Sequence, residues 1–440
     1  MRFRPHRMYP GALLAQECCS FQGMTEVLAP MGGRLVVLIH ADRDCTNVLH
    51  KVGGYVRADL AHKFVATNLT EEEMTAGQGP AKLARALEVV ARELAPELIV
   101  VLATCPTVMI GDDVVRVARA AEAKLGVRVA AAVTHGLKTR SPAQVIDECY
   151  TMLARAAVRA TGDVSRRVNL VGMDLYPREL AEMRAVLAGL GLELNAVVTS
   201  RAALGDFARL GEAALNAHPD PMLLRDFDAH CQAELGLATV HVPLPFGVAA
   251  TDAFYAAIAA AAGVPRARVT KATKALRAPA ARAVAALRDR LASAAPARGL
   301  RCAYNLGSVR SFDLRRIALE ELGGKPLFDE LGFAATLFIQ GPTHEENRAR
   351  VAGVLQALGV AEPFVLFPDP GQLARSMAPG AFDLFYGADF VRNELSKLGL
   401  PAIHHVDTRM GYRAVAHNLE LVERALASHF YQLFGAASPT

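Results

Sequence analysis

Apolar residues in this chain fall into short continuous runs, separated by longer stretches where apolar and polar positions recur at helical spacing. Runs rich in β-branched residues predict strands at Arg34–Ala41, Lys63–Thr67, Glu97–Thr104 and Arg128–Val133, with helices at Pro80–Leu94 and Asp113–Leu125. Strands that are apolar on both faces and alternate with amphipathic helices form parallel sheets covered on both sides. The cycle restarts after Gly162, with strands at Val168–Gly172, Leu192–Val198 and Ala238–Pro243 and a helix at Pro177–Gly189. The Ala/Arg-rich stretch Thr270–Ala294 predicts a helical connection. A third cycle begins at Arg301. Its predicted strands are Arg301–Asn305, Ala335–Gln340, Phe364–Phe367, Phe382–Tyr386 and Ala402–Val406, and a last helix runs from Arg413 to Leu426. The expected fold is α/β: three doubly wound, Rossmann-like parallel-sheet domains over residues 1–165, 166–295 and 296–440.

Composition agrees with that size. The chain has 440 residues, 52% of them hydrophobic and 21% charged, enough apolar surface for more than one core. A net charge of +4 is small for this length and gives no electrostatic case for nucleic acid. The basic start (Arg2, Arg4, Arg7) is not followed by the apolar stretch of a signal peptide, and no run is long enough to cross a membrane. The expectation is a cytoplasmic protein with no membrane or nucleic-acid partner. Neither GxxxxGKS/T nor a GxGxxG after the first strand occurs, so the clefts are expected to hold something other than a dinucleotide.

Cysteine placement changes the picture. The seven cysteines are Cys18, Cys19, Cys45, Cys105, Cys149, Cys231 and Cys302. An odd count without a secretion signal argues against a disulfide framework. Cys45 lies just beyond the first predicted strand, and Cys105 directly ends the strand Glu97–Thr104. Ligand sites in parallel sheets gather at such carboxyl ends. Cys19 precedes a predicted helix at Gly23–Ala29, where the dipole and free N–H groups favour a thiolate. Spacings of 26 and 60 residues do not suit a zinc ribbon, which needs CxxC pairs. They suit an iron–sulfur site assembled by the fold. Three thiolates leave a four-iron cluster one ligand short, so a partner chain would complete the site or share a larger cluster. On the residues alone, buried packing is an equal alternative for these three and the expected role of Cys149, Cys231 and Cys302. Either Cys18 or Cys19 could be the ligand of that pair.

The segment Thr104-Cys105-Pro106-Thr107-Val108-Met109-Ile110-Gly111-Asp112-Asp113 resembles the Cys-x-x-x-x-Ile-Gly-Asp-Asp segment of the nitrogenase component 1 superfamily. Its two aspartates also suit the N-cap and first turn of the next helix. Cys19-x-x-x-Gly23 with Cys45 resembles the family's first two cluster cysteines, and Thr70-Glu71 with Gly77-Gln78-Gly79 its Thr-Glu…Gly-Gly segment, loosened by one residue. Pro245-Phe246-Gly247 with Thr251-Asp252, and Gly399-Leu400-Pro401 with His404-His405 and Gly411-Tyr412, resemble segments of its β-type subunits.

The resemblance implies a function. Cys19, Cys45 and Cys105 would hold one side of a P-cluster-like iron–sulfur cluster (8Fe–7S, or 4Fe–4S) shared with a paralogous α-type subunit in an α2β2 heterotetramer. A homodimeric, MgATP-dependent 4Fe–4S reductase would supply electrons. The α-type mid-chain ligand position falls around Ala217-His218-Pro219, without a cysteine, and Cys231 lies too far on. The chain is therefore read as β-type, with no catalytic residue of its own. His404 and His405 would be structural at a subunit contact, and Arg43, Asp113 and Lys138 capping or docking groups. Within the superfamily the chain is most similar to methylthio-alkane reductase, implying reductive C–S cleavage in the partner. Alternatives are one component of a dark-operative protochlorophyllide or chlorophyllide reductase, a cluster-assembly scaffold of the same fold, or a zinc or sugar-binding α/β protein with coincidental cysteines.

Overall fold

The computed structural model describes residues 20–46, 63–135, 142–157, 166–173, 175–199, 202–219, 224–308, 322–377, 380–387 and 399–428. Within them the strands form three all-parallel sheets. The first contains β1 (Leu35–His40), β2 (Phe64–Ala66), β3 (Leu98–Ala103) and β4 (Arg128–Val133), in the order β2-β1-β3-β4. The second contains β5 (Arg167–Val171), β6 (Glu193–Val198), β7 (Leu215–His218) and β8 (Ala238–His241), in the order β6-β5-β7-β8. The third contains β9 (Arg301–Ser308), β10 (Ala334–Gln340), β11 (Phe364–Phe367), β12 (Leu384–Gly387) and β13 (Ala402–His404), in the order β11-β10-β9-β12-β13.

The unbroken apolar runs have a direct cause. Leu35, Val37 and Ile39 of β1 pack on one face with helices Ser20–Leu28 and Pro142–Ala157. Val36 and Leu38 pack on the other with helices Gly79–Leu94 and Val114–Leu125. Both sides of the pleat are buried, so polar alternation is absent. Helix Gly79–Leu94 meets this face with Leu83, Leu87 and Val90, the spacing that places side chains on one stripe.

Most predicted strands and helices stand within two residues of their expected ends. Three differences have physical reasons. The first helix already includes Ser20, ahead of the expected Gly23, and Phe21 packs in the core. The helix expected at Thr270–Ala294 begins at Arg266, directly after Pro265, whose fixed φ suits a helix start. Strand β7 is unforeseen: Asn216 and His218 interrupt its apolar run, yet both are buried. Asn216 accepts from Asn169 (2.8 Å), whose own oxygen accepts from Asn195 (2.8 Å), a buried amide ladder across β7, β5 and β6.

Carboxylates, buried at Asp147 and Glu182 and half-buried at Glu330, join the sheets. Asp147 accepts from the amides of Asp226 and Phe227, both 2.8 Å, at the start of helix Arg225–Leu235. Glu330 accepts from Val248 (3.1 Å) and Ala249 (2.6 Å) at the start of helix Gly247–Ala261. Glu182 accepts from Tyr412 (2.7 Å) and Arg413 (2.8 Å) just before helix Ala414–Leu426. Each ion faces donors that have no intrahelical partner. Burial raises the pKa of all three carboxyls, opposed by these amide bonds. The β-type sequence segments meet here: Tyr412 donates its hydroxyl to Asp252, and a side chain at Gly411 (φ +94°) would strike the Glu182 carboxylate.

Candidate metal centre

In the first sheet the chain runs from β1 to β2 in one direction, then returns to β3 on the other side of β1. Open parallel sheets form a crevice at that reversal, outside the carboxyl ends of the strands. The reversal lies between β1 and β3, whose last residues, His40 and Ala103, are paired. Cys45 follows β1 and Cys105 follows β3, so the fold brings both half-buried cysteines to this crevice edge. Cys18 and Cys19 lie outside the described residues, as does Lys138. Ser20, next to Cys19, is buried and lies in the helix Ser20–Leu28. Lys63 holds the end of that helix by donating to the carbonyls of Ala29 (3.2 Å) and Met31, and burial lowers its pKa to about 8.

The loops bearing the two cysteines are tightly held. Asp42 Oδ1 accepts from the amides of Asp44 (3.2 Å) and Cys45 (3.1 Å), an Asx turn that sets the backbone at Cys45. Thr107 donates its hydroxyl to the carbonyl of His40 (3.1 Å), and Thr134 to that of Ala103 (2.8 Å). Gly111 takes φ +81°, turning the chain between the short helix Cys105–Met109 and the next one.

The two aspartates after Gly111 divide their work. Asp113 is the N-cap, accepting from the amide of Arg116 at 3.0 Å. Asp112 is not a helix cap, which corrects half of the sequence expectation. Its carboxylate meets His40 Nε2 at 2.9 Å, with both side chains almost completely buried. His40 Nδ1 faces the Thr67 hydroxyl at 3.2 Å. A carboxylate only accepts, so Nε2 carries a proton and Nδ1 can accept from Thr67 in the neutral ring. Burial lowers the His40 pKa, and Asp112 opposes that shift. Sequence reasoning passed over His40. The available signal was an ionisable residue ending the fully apolar run Leu35–Ile39, which burial obliges to find a partner.

Gly79 explains the glycine in the loosened Gly-Gln-Gly segment. A Cβ there would lie 2.0 Å from Asp112 Oδ2. At an open helix position, glycine to alanine adds up to about 1 kcal/mol of stability. Here the sign reverses: we expect Gly79→Ala to cost about 1–3 kcal/mol by displacing the Asp112 carboxylate, read from urea denaturation. Unchanged or raised stability would refute this packing.

The remaining cysteines sit in cores. Cys149, Cys231 and Cys302 are fully buried, and burial pushes the Cys231 thiol up to about 12 and the other two higher still. A raised pKa opposes the thiolate that metal ligation requires. His404 and His405 stack at the end of β13, their ring centroids 4.5 Å apart, with His405 buried within this chain. Met109 and Ile110, four and five residues beyond Cys105, are 71% and 45% exposed. No helix among the described residues is long and apolar enough to cross a membrane.

Comparison with known proteins agrees with this architecture. A biosynthesis protein of the nitrogenase iron–molybdenum cofactor, NifE of Clostridium pasteurianum, is 24% identical over 205 residues, 46% of this chain and 44% of that protein. One component of the light-independent protochlorophyllide reductase of Roseiflexus sp. is 27% identical over 179 residues, 40% of this chain and 31% of that protein. These matches span less than half the length of either relative. The solved structure of nitrogenase Cp1 at pH 6.5 superposes with a TM-score of 0.68 at 15% identity, covering 97% of this chain and 92% of that one, a likeness of fold. The family model for nitrogenase component 1 type oxidoreductases matches residues 19–418, and the chain belongs to that family.

Proposed function

We propose that this chain is the β-type subunit of a nitrogenase-like reductase and holds one side of an iron–sulfur cluster through Cys19, Cys45 and Cys105. The observation that carries this reading is the placement of Cys45 and Cys105 beyond adjacent strands at the crevice of the first sheet. Soft thiolate donors at a sheet edge suit iron–sulfur ligation. When bound, the cluster supplies one-electron transfer. This chain's residues do the rest: Asp42 sets the Cys45 turn, Thr107 and the Asp112–His40 pair fix the Cys105 loop, and partial burial excludes water. Exposed Met109 and Ile110 beside Cys105 offer apolar surface for an α-type partner that completes the site. An MgATP-dependent 4Fe–4S reductase docks on the assembled α2β2 complex. The substrate reacts in the partner, and reductive cleavage of a methylthio-alkane is the reaction we assign. There two electrons and two protons convert a thioether to a thiol and a hydrocarbon. Support for that choice is the resemblance of residues 104–113 together with a complete cysteine triad.

The match to NifE favours a second reading, a scaffold on which a cluster is built and then released. One experiment separates the two. The chain is coexpressed anaerobically with an α-type partner, its iron and sulfide are measured, and an apo acceptor is added. A reductase subunit keeps its iron through turnover; a scaffold transfers it. Colourless, iron-free protein from iron-replete cells would sink both.

A further inference from the structure

The second sheet carries polar groups that the cysteine site does not use. His218 ends β7 and His241 ends β8, paired in register at the same carboxyl edge. Between them in sequence, helix Arg225–Leu235 returns Asp228 to the same edge, where its Oδ2 meets His218 Nε2 at 2.6 Å. One ligand atom from each of His218, Asp228 and His241 lies within 4.8 Å of the other two. His218 is fully buried, Asp228 half-buried and His241 exposed. The two rings meet edge to face with centroids 4.8 Å apart. The Thr239 hydroxyl donates to Asp228 Oδ1 at 3.1 Å, leaving Oδ2 for His218.

We propose that His218, Asp228 and His241 bind one divalent transition-metal ion of the zinc class, with solvent in the open position. Two imidazoles and a carboxylate are the donor set of borderline divalent ions, and three protein ligands leave a tetrahedral ion one free place. The short His218–Asp228 contact holds a proton where the ion would sit. Ligand atoms around a tetrahedral ion at about 2.0–2.1 Å lie roughly 3.3 Å apart. The His218–Asp228 pair therefore opens from 2.6 Å, and the widest separation, within 4.8 Å, closes by up to about 1.5 Å as the exposed His241 ring turns inward. Thr239 supplies the outer hydrogen bond that fixes a ligating carboxylate. A His–Asp pair alone would account for His218 and Asp228, but not for a second imidazole in register against the first. The site is separate from Cys45 and Cys105, which belong to the first sheet.

The test uses the full chain, stripped with a chelator, loaded with zinc and dialysed. Elemental analysis gives occupancy and zinc-edge X-ray absorption gives the ligand atoms. We expect a single zinc with only nitrogen and oxygen neighbours near 2.0–2.1 Å, kept in Cys45→Ala and Cys105→Ala. His241→Ala should lose more than about 10-fold in zinc affinity, and its exposure leaves the fold unaffected. Sulfur neighbours near 2.3 Å would put the ion on the cysteines and overturn the proposal. So would the absence of bound zinc, or equal binding by His241→Ala. None of these outcomes touches the iron content on which the cluster reading depends.

Discussion

Cys105→Ala, expressed anaerobically with its α-type partner, should yield folded protein without iron–sulfur absorbance and with reductase turnover more than about 100-fold lower. Losing an outer-shell partner of a metal ligand costs roughly 10–100-fold, and losing the ligand itself costs more. Cys105 is half-buried at the start of a short helix, so alanine leaves little cavity and the fold should persist. Cys45→Ala should behave alike, because its turn is set by the Asp42 side chain rather than by the thiol. Cys302→Ala is the control. That thiol is buried in the core formed with the third sheet and held protonated by its surroundings, so its loss should leave iron content unchanged. If Cys105→Ala and Cys302→Ala retained iron equally, the ligand assignment would be wrong.

The second large effect is expected at His40. His40→Ala strands the Asp112 carboxylate in the interior without its donor, which costs about 3–5 kcal/mol when a buried pair is broken from one side. Asp112→Asn should cost less, since an amide oxygen still accepts from Nε2. Urea denaturation measures both. The pair also predicts a pH dependence. Burial depresses the folded His40 pKa below its ordinary value of 6.5. Between those two values the unfolded chain binds a proton that the folded chain does not, so stability rises with pH. His40 therefore contributes a loss of stability as the pH falls below about 6.5, and His40→Ala should remove that slope. A slope unchanged in the variant would place the titration elsewhere.

The family segments proved legible to different depths. The Cys105 segment announces the loop that carries the cysteine, since Gly111 and Asp113 perform local work, a left-handed turn and an N-cap. Asp112 was misread as part of that cap because its partner lies 72 residues away. The segments near Thr251-Asp252 and Gly411-Tyr412 mark a resemblance to β-type subunits without indicating what they do. In the structure they are interior ties, joined by the Tyr412–Asp252 hydrogen bond and the Glu182 clamp. Nothing local foretells such ties, because their partners lie far away in sequence.

By itself the sequence determined the period and the burial of the elements. Short unbroken apolar runs rich in β-branched residues form strands covered on both faces, and Cys45 and Cys105 follow two such runs at strand ends. Strand order was decided only in the tertiary structure. Placing β3 beside β1 rather than β2 puts Cys45 and Cys105 at one crevice and closes His40 on Asp112, and in the second sheet the pairing of β7 with β8 aligns His218 with His241. These contacts span tens of residues. Their energy lies in the packing of sheet faces and the pairing of buried charges, and no local pattern records either.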